Sequence, residues 1–179
     1  FKEKRDFEFK NSIHLKDVYF RYFSKKETIL KNINLKIKRG DKIAIIGSTG
    51  SGKSTLVDIV MGLLKPSRGN LFIDEENIHD NKNSELSDKW KSIIAHVPQS
   101  IYLSDSSIME NIAFGLPKNE IDKELVKQAA KKAQIFSFIQ NCEKGFETFV
   151  GERGIQLSGG QRQRIGIARA LYKKAQILV

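Results

Sequence analysis

With 179 residues the chain is long enough for one sizeable core and a subdomain. Its formal charge of +10, from 31 Lys and Arg against 21 Asp and Glu, is spread along the chain; a solvated basic surface therefore explains it better than a nucleic-acid patch. A lone cysteine, Cys142, excludes an internal disulfide framework and a cysteine metal cluster, and fits a reducing compartment.

Residues 1–11 carry mixed charge without period and read as the tail of a linker or an edge strand. In "SIHLKDVYFRY" the apolar positions Ile13, Leu15, Val18, Phe20 and Tyr22 predict a strand, and in "NINLKIKRGD" Ile33, Leu35 and Ile37 alternate with Asn34, Lys36 and Lys38 before an Arg39-Gly40-Asp41 turn. Both suit half-buried antiparallel strands. "KIAIIG" is different, since Ile43 to Ile46 is apolar without alternation, the pattern of a strand covered on both faces in a parallel sheet. A Gly-rich loop follows, and then "STLVDIVMGLLK" places Leu56, Ile59, Val60 and Leu63 at helical spacing, with Pro66 just beyond. "RGNLFIDEENIHD" reads as a turn, a short strand and a second turn, with Asp74-Glu75-Glu76 as a solvated turn. "SIIAHVPQ" is another apolar strand ended by Pro98. From Ser107 to Phe138 the pattern is helical, with Ile121, Leu125, Ala129, Ala133 and Phe136 at intervals of three and four. A strand-rich half thus gives way to a helix-rich part at about residues 100–160. The longest apolar runs fall short of the roughly 18 residues that a membrane span needs, and "FKEKRDFEFK" is too charged for a signal peptide, so the segment is expected to be soluble. With Phe1 at one end and the strand-like Ile177-Leu178-Val179 at the other, the chain reads as a fragment cut at both ends.

Two stretches carry chemistry. "GSTGSGKS", Gly47 to Ser54, matches the phosphate-binding loop pattern between an apolar run and a helix. Glycines at 47, 50 and 52 let the backbone turn successive N–H groups toward an anion, and the positive end of the following helix adds to the attraction. Lys53 supplies a full charge to the β- and γ-phosphates, and the Ser54 hydroxyl is placed to hold Mg²⁺. A plain Gly-rich turn has no need of Lys-Ser at its end. The second stretch is "LSGGQ", Leu157 to Gln161, expected by chance in roughly one chain in several thousand on average composition. It precedes a helix from Gln161 to Lys174 with Ile165, Ala168 and Leu171 on one face, so Ser158, Gly159 and Gly160 offer a hydroxyl and N–H groups at a second helix N-terminus, as an anion site or as a simple cap.

"GSTGSGKS" followed by "LSGGQRQRIGIARAL" resembles the nucleotide-binding domain of the ATP-binding cassette family, over nearly the whole chain, and more closely the exporter type. The resemblance implies an α/β fold over residues 12–179: a P-loop NTPase sheet core with an antiparallel β subdomain and a helical subdomain. It implies ATP and Mg²⁺ as cofactors, with Gly47, Ser48, Thr49, Gly50, Ser51, Gly52, Lys53, Ser54 and Thr55 holding the phosphates. In this family the second loop of one protomer closes over ATP held by the first loop of another, so Ser158, Gly159, Gly160 and Gln161 would meet the partner's nucleotide in a head-to-tail dimer with two ATP molecules. Tyr22 resembles the aromatic that stacks on adenine. Gln99, in "HVPQS", resembles the glutamine that reaches Mg²⁺ and the attacking water. Lys53, Gln99 and Ser158 are accordingly the catalytic candidates, and Ser54 and Gln99 the metal candidates. "VGERG", Val150 to Gly154, resembles the segment that touches the transmembrane domain in exporters.

"AQILV" resembles the start of the strand whose next residues in the family are an aspartate that orders Mg²⁺ and a glutamate that polarises water, both beyond Val179. His14, His79 and His96 all precede "LSGGQ" and cannot replace the family's later switch histidine. The resemblance thus implies an ATP hydrolase coupled to export, on the cytoplasmic face of a membrane, with transmembrane domains N-terminal in the same chain. The rival readings are a soluble cassette ATPase acting on ribosomes or nucleic acid, a non-catalytic regulatory cassette, and a small-molecule P-loop kinase or GTPase, which shares only residues 47–54.

Overall fold

The computed structural model describes residues 7–24, 27–80, 84–151 and 156–179. They fall into two compact units that divide between Ile94 and Ala95, close to the point where the sequence changes from strand to helix periodicity.

The first unit is built on β1 (Ser12–Phe20), β2 (Leu30–Lys38), β3 (Arg68–Ile73) and β4 (Glu76–Asn77), in an antiparallel sheet of order β2-β1-β3-β4. Alternation decides which face is buried: Ile13 pairs with Ile37 and Leu15 with Leu35, while His14 and Lys36 share the other face. The step from Leu15 to Val18 breaks a strict period of two. A bulge absorbs it, with Asp17 at φ 49° and its amide bonded to Asn34 Oδ1 at 3.0 Å, so Val18 returns to the buried side. Helices α1 (Lys53–Val60) and α2 (Ser84–Ser92) complete this unit. Trp90 of α2 is fully buried, and its indole N–H donates to the Val60 carbonyl at 2.9 Å. A side chain of this size stabilises by about 2–3 kcal/mol when buried, provided its polar edge finds such a partner.

Three expectations need correction here. Leu63 is not on the apolar face of α1, because the helix stops at Val60 and Gly62 takes φ 75°; Leu63 lies beyond it and is exposed. Asp74 does sit in a turn, but its carboxylate is not merely solvated: it accepts the amides of Lys10, Asn11 and Ser12 at 2.6, 2.6 and 2.9 Å. The segment leading into β1 is therefore fastened, and Phe9 is buried with its ring edge-on to Trp90 at 5.8 Å. Residues 43–46 form no strand, with Ile43 and Ile46 exposed to 50% and 91%. A strand buried on both faces needs ladder partners on both sides, and no described strand lies beside this run.

The second unit begins within β5 (Ile94–Ala95), which pairs with β6 (Ile177–Leu178). The expected strand "SIIAHVPQ" is reduced to those two residues. Val179 donates to the Ala95 carbonyl at 2.9 Å and accepts from the Val97 amide at 2.7 Å; one residue bonding two that lie two apart is the pattern of parallel pairing. Helices α3 (Ile108–Ile112), α4 (Lys123–Lys132), α5 (Phe136–Gln140) and α6 (Gly159–Tyr172) enclose a core that includes Leu103, Ile108, Ile112, Ala130, Ile139 and Ile165. The three-and-four spacing read from Ile121 to Phe136 is the inward face of α4 and its neighbours. Asp122 caps α4 by accepting the Leu125 amide at 3.0 Å, and Ser107 with Glu110 forms a reciprocal capping box on α3. Glu110 is held below the ordinary carboxylate range chiefly by the Ser107 hydroxyl, which donates to it at 2.6 Å. No helix among the described residues is long and apolar enough to cross a membrane.

Candidate phosphate-binding site

The loop from Gly47 to Gly52 runs directly into α1, and the helix opens without a side-chain cap. Its N-cap is Gly52, at φ 91° and ψ 9°, and no acidic residue occupies the first turn. The conformation requires glycine twice over, because a Cβ at 52 would also lie 2.9 Å from Leu30 Cδ2 and 3.0 Å from Ile29 Cγ2. The loop thus packs down against the start of β2. Its own turn is closed by the Ser51 amide donating to the Ser48 carbonyl at 3.2 Å. Lys53 folds back over it, Nζ donating to the carbonyls of Gly47 and Ser48 at 2.9 and 2.7 Å. An ammonium, an uncapped helix N-terminus and exposed hydroxyls at Ser48, Thr49, Ser51 and Ser54 therefore share one short segment. That arrangement suits a polyanion.

Tyr22 lies beside the same helix. Its phenol and the hydroxyl of buried Thr55 share a hydrogen bond at 3.2 Å, and its ring meets Phe20 edge-on at 4.9 Å. Thr55 therefore turns its hydroxyl toward Tyr22, whereas Ser54 is exposed.

Gln99 and the "LSGGQ" residues belong to the second unit. Gln99 is exposed in the loop after β5. Ser158 is the N-cap of α6: its Oγ accepts the Gln161 amide at 3.2 Å, while Gln161 Oε1 accepts the Ser158 amide at 2.8 Å. The helix starts at Gly159, two residues before the predicted Gln161, because the cap fixes its first turn. Gly159 and Gly160 are exposed there. Arg162 donates back to the Leu157 carbonyl at 2.6 Å, closing the loop onto the helix. Of the "VGERG" segment Val150 is buried, while residues 152–154 lie outside the described residues.

A polar cluster in the second unit escaped the sequence reading. Asn111 is completely buried; its side-chain amide donates to the Ser104 carbonyl at 3.0 Å and to Ser106 Oγ and the Ser107 carbonyl at 3.1 Å each. Arg169 of α6 donates through Nε to the Asn111 carbonyl at 2.9 Å, and its guanidinium lies 4.4 Å from the centre of the Phe114 ring. Burial pulls the Arg169 pKa down, yet a guanidinium stays charged, so these contacts compensate its desolvation. A polar residue within an apolar helical run was the available signal.

Comparison with known proteins follows the same lines. The ABC transporter family matches residues 30–179. An ATP-dependent lipid A-core flippase of Chromohalobacter salexigens is 40% identical over 167 residues, covering 93% of this chain and 28% of that protein. ABC transporter B family member 14 of Arabidopsis thaliana is 42% identical over 171 residues, covering 95% of this chain and 13% of that protein. Among solved structures, a bacterial Atm1-family ABC exporter with ATP bound superposes with a TM-score of 0.83 at 33% identity, covering 94% of this chain and 28% of that one. The chain belongs to the ABC transporter family.

Proposed function

We propose that this domain binds ATP at Gly47–Thr55 and, within its complete protein, hydrolyses it to drive export across a membrane. The observation that carries the reading is the uncapped N-terminus of α1 with the Lys53 ammonium folded over its loop. Phosphoryl transfer is mostly positioning and charge stabilisation. Lys53 would exchange its two carbonyl partners for β- and γ-phosphate oxygens, and the amides of the first turn of α1 would meet the same groups. The exposed Ser54 hydroxyl fits a hard-cation ligand, and Gln99 is the second candidate; bound Mg²⁺ would neutralise phosphate charge. Ser158, Gly159 and Gly160 would contribute from a second copy in a head-to-tail dimer. The Ser158 cap supports this, since its Oγ accepts a hydrogen bond within α6 and leaves the O–H free to donate to phosphate.

The flippase and exporter relatives support transmembrane domains in the same protein, a cytoplasmic position for this domain, and a lipid-like cargo. The test is steady-state ATP turnover by the complete protein in lipid vesicles. Turnover that Lys53→Ala abolishes supports the proposal, and a protein that binds no ATP overturns it.

A further inference from the structure

Glycine weakens a helix interior, because it has more backbone freedom to lose than alanine. Gly166 nevertheless stands in the middle of α6, where it is buried and has no left-handed φ to require it. What excludes a side chain there is a neighbour: a Cβ at 166 would lie 2.5 Å from Ile101 Cδ1, 3.0 Å from its Cγ1 and 3.3 Å from its Cγ2. Turning the end of the isoleucine would relieve the first of these approaches but not the other two, so Ile101 fills the place that a methyl group would take. Ile101 also packs against the core of the second unit. The segment that carries it, residues 98–103, has neither helix nor strand. Its flanks are held at the Val97 amide, 2.7 Å from the Val179 carbonyl, and at the Ser104 amide, 3.0 Å from Asn111 Oδ1. Between these flanks two side chains anchor it, Leu103 fully buried and Ile101 seated on Gly166.

Gln99 stands two residues before Ile101, and Gly166 lies about two turns into the helix whose N-cap is Ser158. The seat of Ile101 therefore ties the segment of Gln99 to the helix of Ser158 within one compact unit. A group that orients a cation or a water has to be held to a fraction of an ångström, and a loop side chain gains that precision from what packs beneath it. We infer that Gly166 is a positioning residue for Gln99: its missing side chain seats Ile101, and that seat sets where Gln99 stands relative to α6. Gly166 acts through the loop and not through the nucleotide. This inference rests on the role proposed above for Gln99 beside the cation.

The experiment measures ATP turnover and equilibrium ATP binding by the complete protein in lipid vesicles, with hydrogen exchange at residues 99–103 as a readout independent of turnover. Gly166→Ala should lower kcat by about tenfold, leave ATP affinity within about twofold and speed exchange across the loop. Ile101→Ala should loosen the same seat from the other side. The Gly166→Ala/Ile101→Ala double variant should be more active and better protected than either single, because the clash is gone and the new methyl group fills part of the vacated space. When Gln99 is already alanine, Gly166→Ala should lower kcat no further, since its effect runs through Gln99. A multiplied loss in that background, a double variant no better than Gly166→Ala, or wild-type kcat in Gly166→Ala would overturn the inference. Should Gly166→Ala fail to fold, Ile101→Ala decides: a loss of kcat that disappears in the Gln99→Ala background supports the inference, and wild-type kcat or a multiplied loss overturns it. Unchanged turnover in Gln99→Ala alone would remove the role of Gln99 and the inference together, while leaving ATP binding in place. Binding of no ATP by the wild type would remove the proposed function itself.

Discussion

Helices α1 and α6 both open on a glycine-containing loop, yet they finish their N-termini in opposite ways. α6 satisfies itself: Ser158 and Gln161 exchange hydrogen bonds, and Arg162 ties the loop back to Leu157. α1 does not: its cap is a left-handed glycine without a side chain, and the neighbouring cation lies over the loop carbonyls. A helix N-terminus leaves several N–H groups without helical partners, and an uncapped end costs about 1 kcal/mol against a good cap. On the reading proposed above, an anion would complete the open end of α1, whereas the first turn of α6 is already satisfied by its own cap.

The sharpest way to break this contrast is Lys53→Ala in the complete protein. Loss of two charge-assisted contacts to phosphate should weaken ATP about a hundredfold or more, as read by calorimetry. Unchanged affinity would mean that α1 is no more a receptor than α6.

The hold on α6 away from its cap is tested by Asn111→Ala, which removes the side-chain hydrogen bonds to Ser104, Ser106 and Ser107 and the Asn111 Oδ1 acceptor of Arg169, while the backbone carbonyl that Arg169 Nε meets stays in place. Destabilisation of about 2–4 kcal/mol in denaturant unfolding is expected. A loss below about 0.5 kcal/mol would show that the cluster is incidental.

At Ser158 the capping role and the proposed phosphate role can be separated. Ser158→Ala should cost about 1 kcal/mol of stability through the lost cap, while Ser158→Asp keeps a good cap and should cost almost none. Aspartate would nevertheless oppose a phosphate, so ATP-driven pairing of the nucleotide-binding domains should fail in that variant. Normal pairing in Ser158→Asp, measured by cross-linking, would leave α6 with a structural role alone.

The smallest effect expected is at His79, whose Nε2 is buried without a partner. Burial first, and then Lys65 and Lys91, push its pKa below the ordinary histidine value. Its neutral form therefore favours folding: the contribution is complete above the unfolded-state pKa and is lost as pH falls through the lower folded one. Unfolding midpoints followed from pH 7.5 to 5 should decline less in His79→Gln than in the wild type. Parallel curves would remove His79 as a cause.

The two units also differ in how legible they were. Ser158-x-x-Gln161 and Ser107-x-x-Glu110 are capping boxes whose partners lie three residues apart, and such contacts can be read directly. The alternation of β2 and the period of α4 were equally readable, because burial follows the repeat of each element. Ile43–Ile46 shows the converse: its composition is that of a buried strand, yet burial depends on neighbours that composition does not supply.

By itself the sequence determined the glycine loop with Lys53 and Ser54, the "LSGGQ" cap, the strand-rich and helix-rich division, and through these the family. Each rests on residues close together in the chain, where geometry follows from φ, ψ and helical or strand repeat. Only the tertiary structure decided that Asp74 gathers amides from 62 to 64 positions away, that Arg169 reaches Asn111 across 58 and that Tyr22 meets Thr55 across 33. Contacts at such separations have no period to announce them. They depend on which strand pairs with which and on where a bulge or a glycine turns the chain, and those choices are made by packing as a whole.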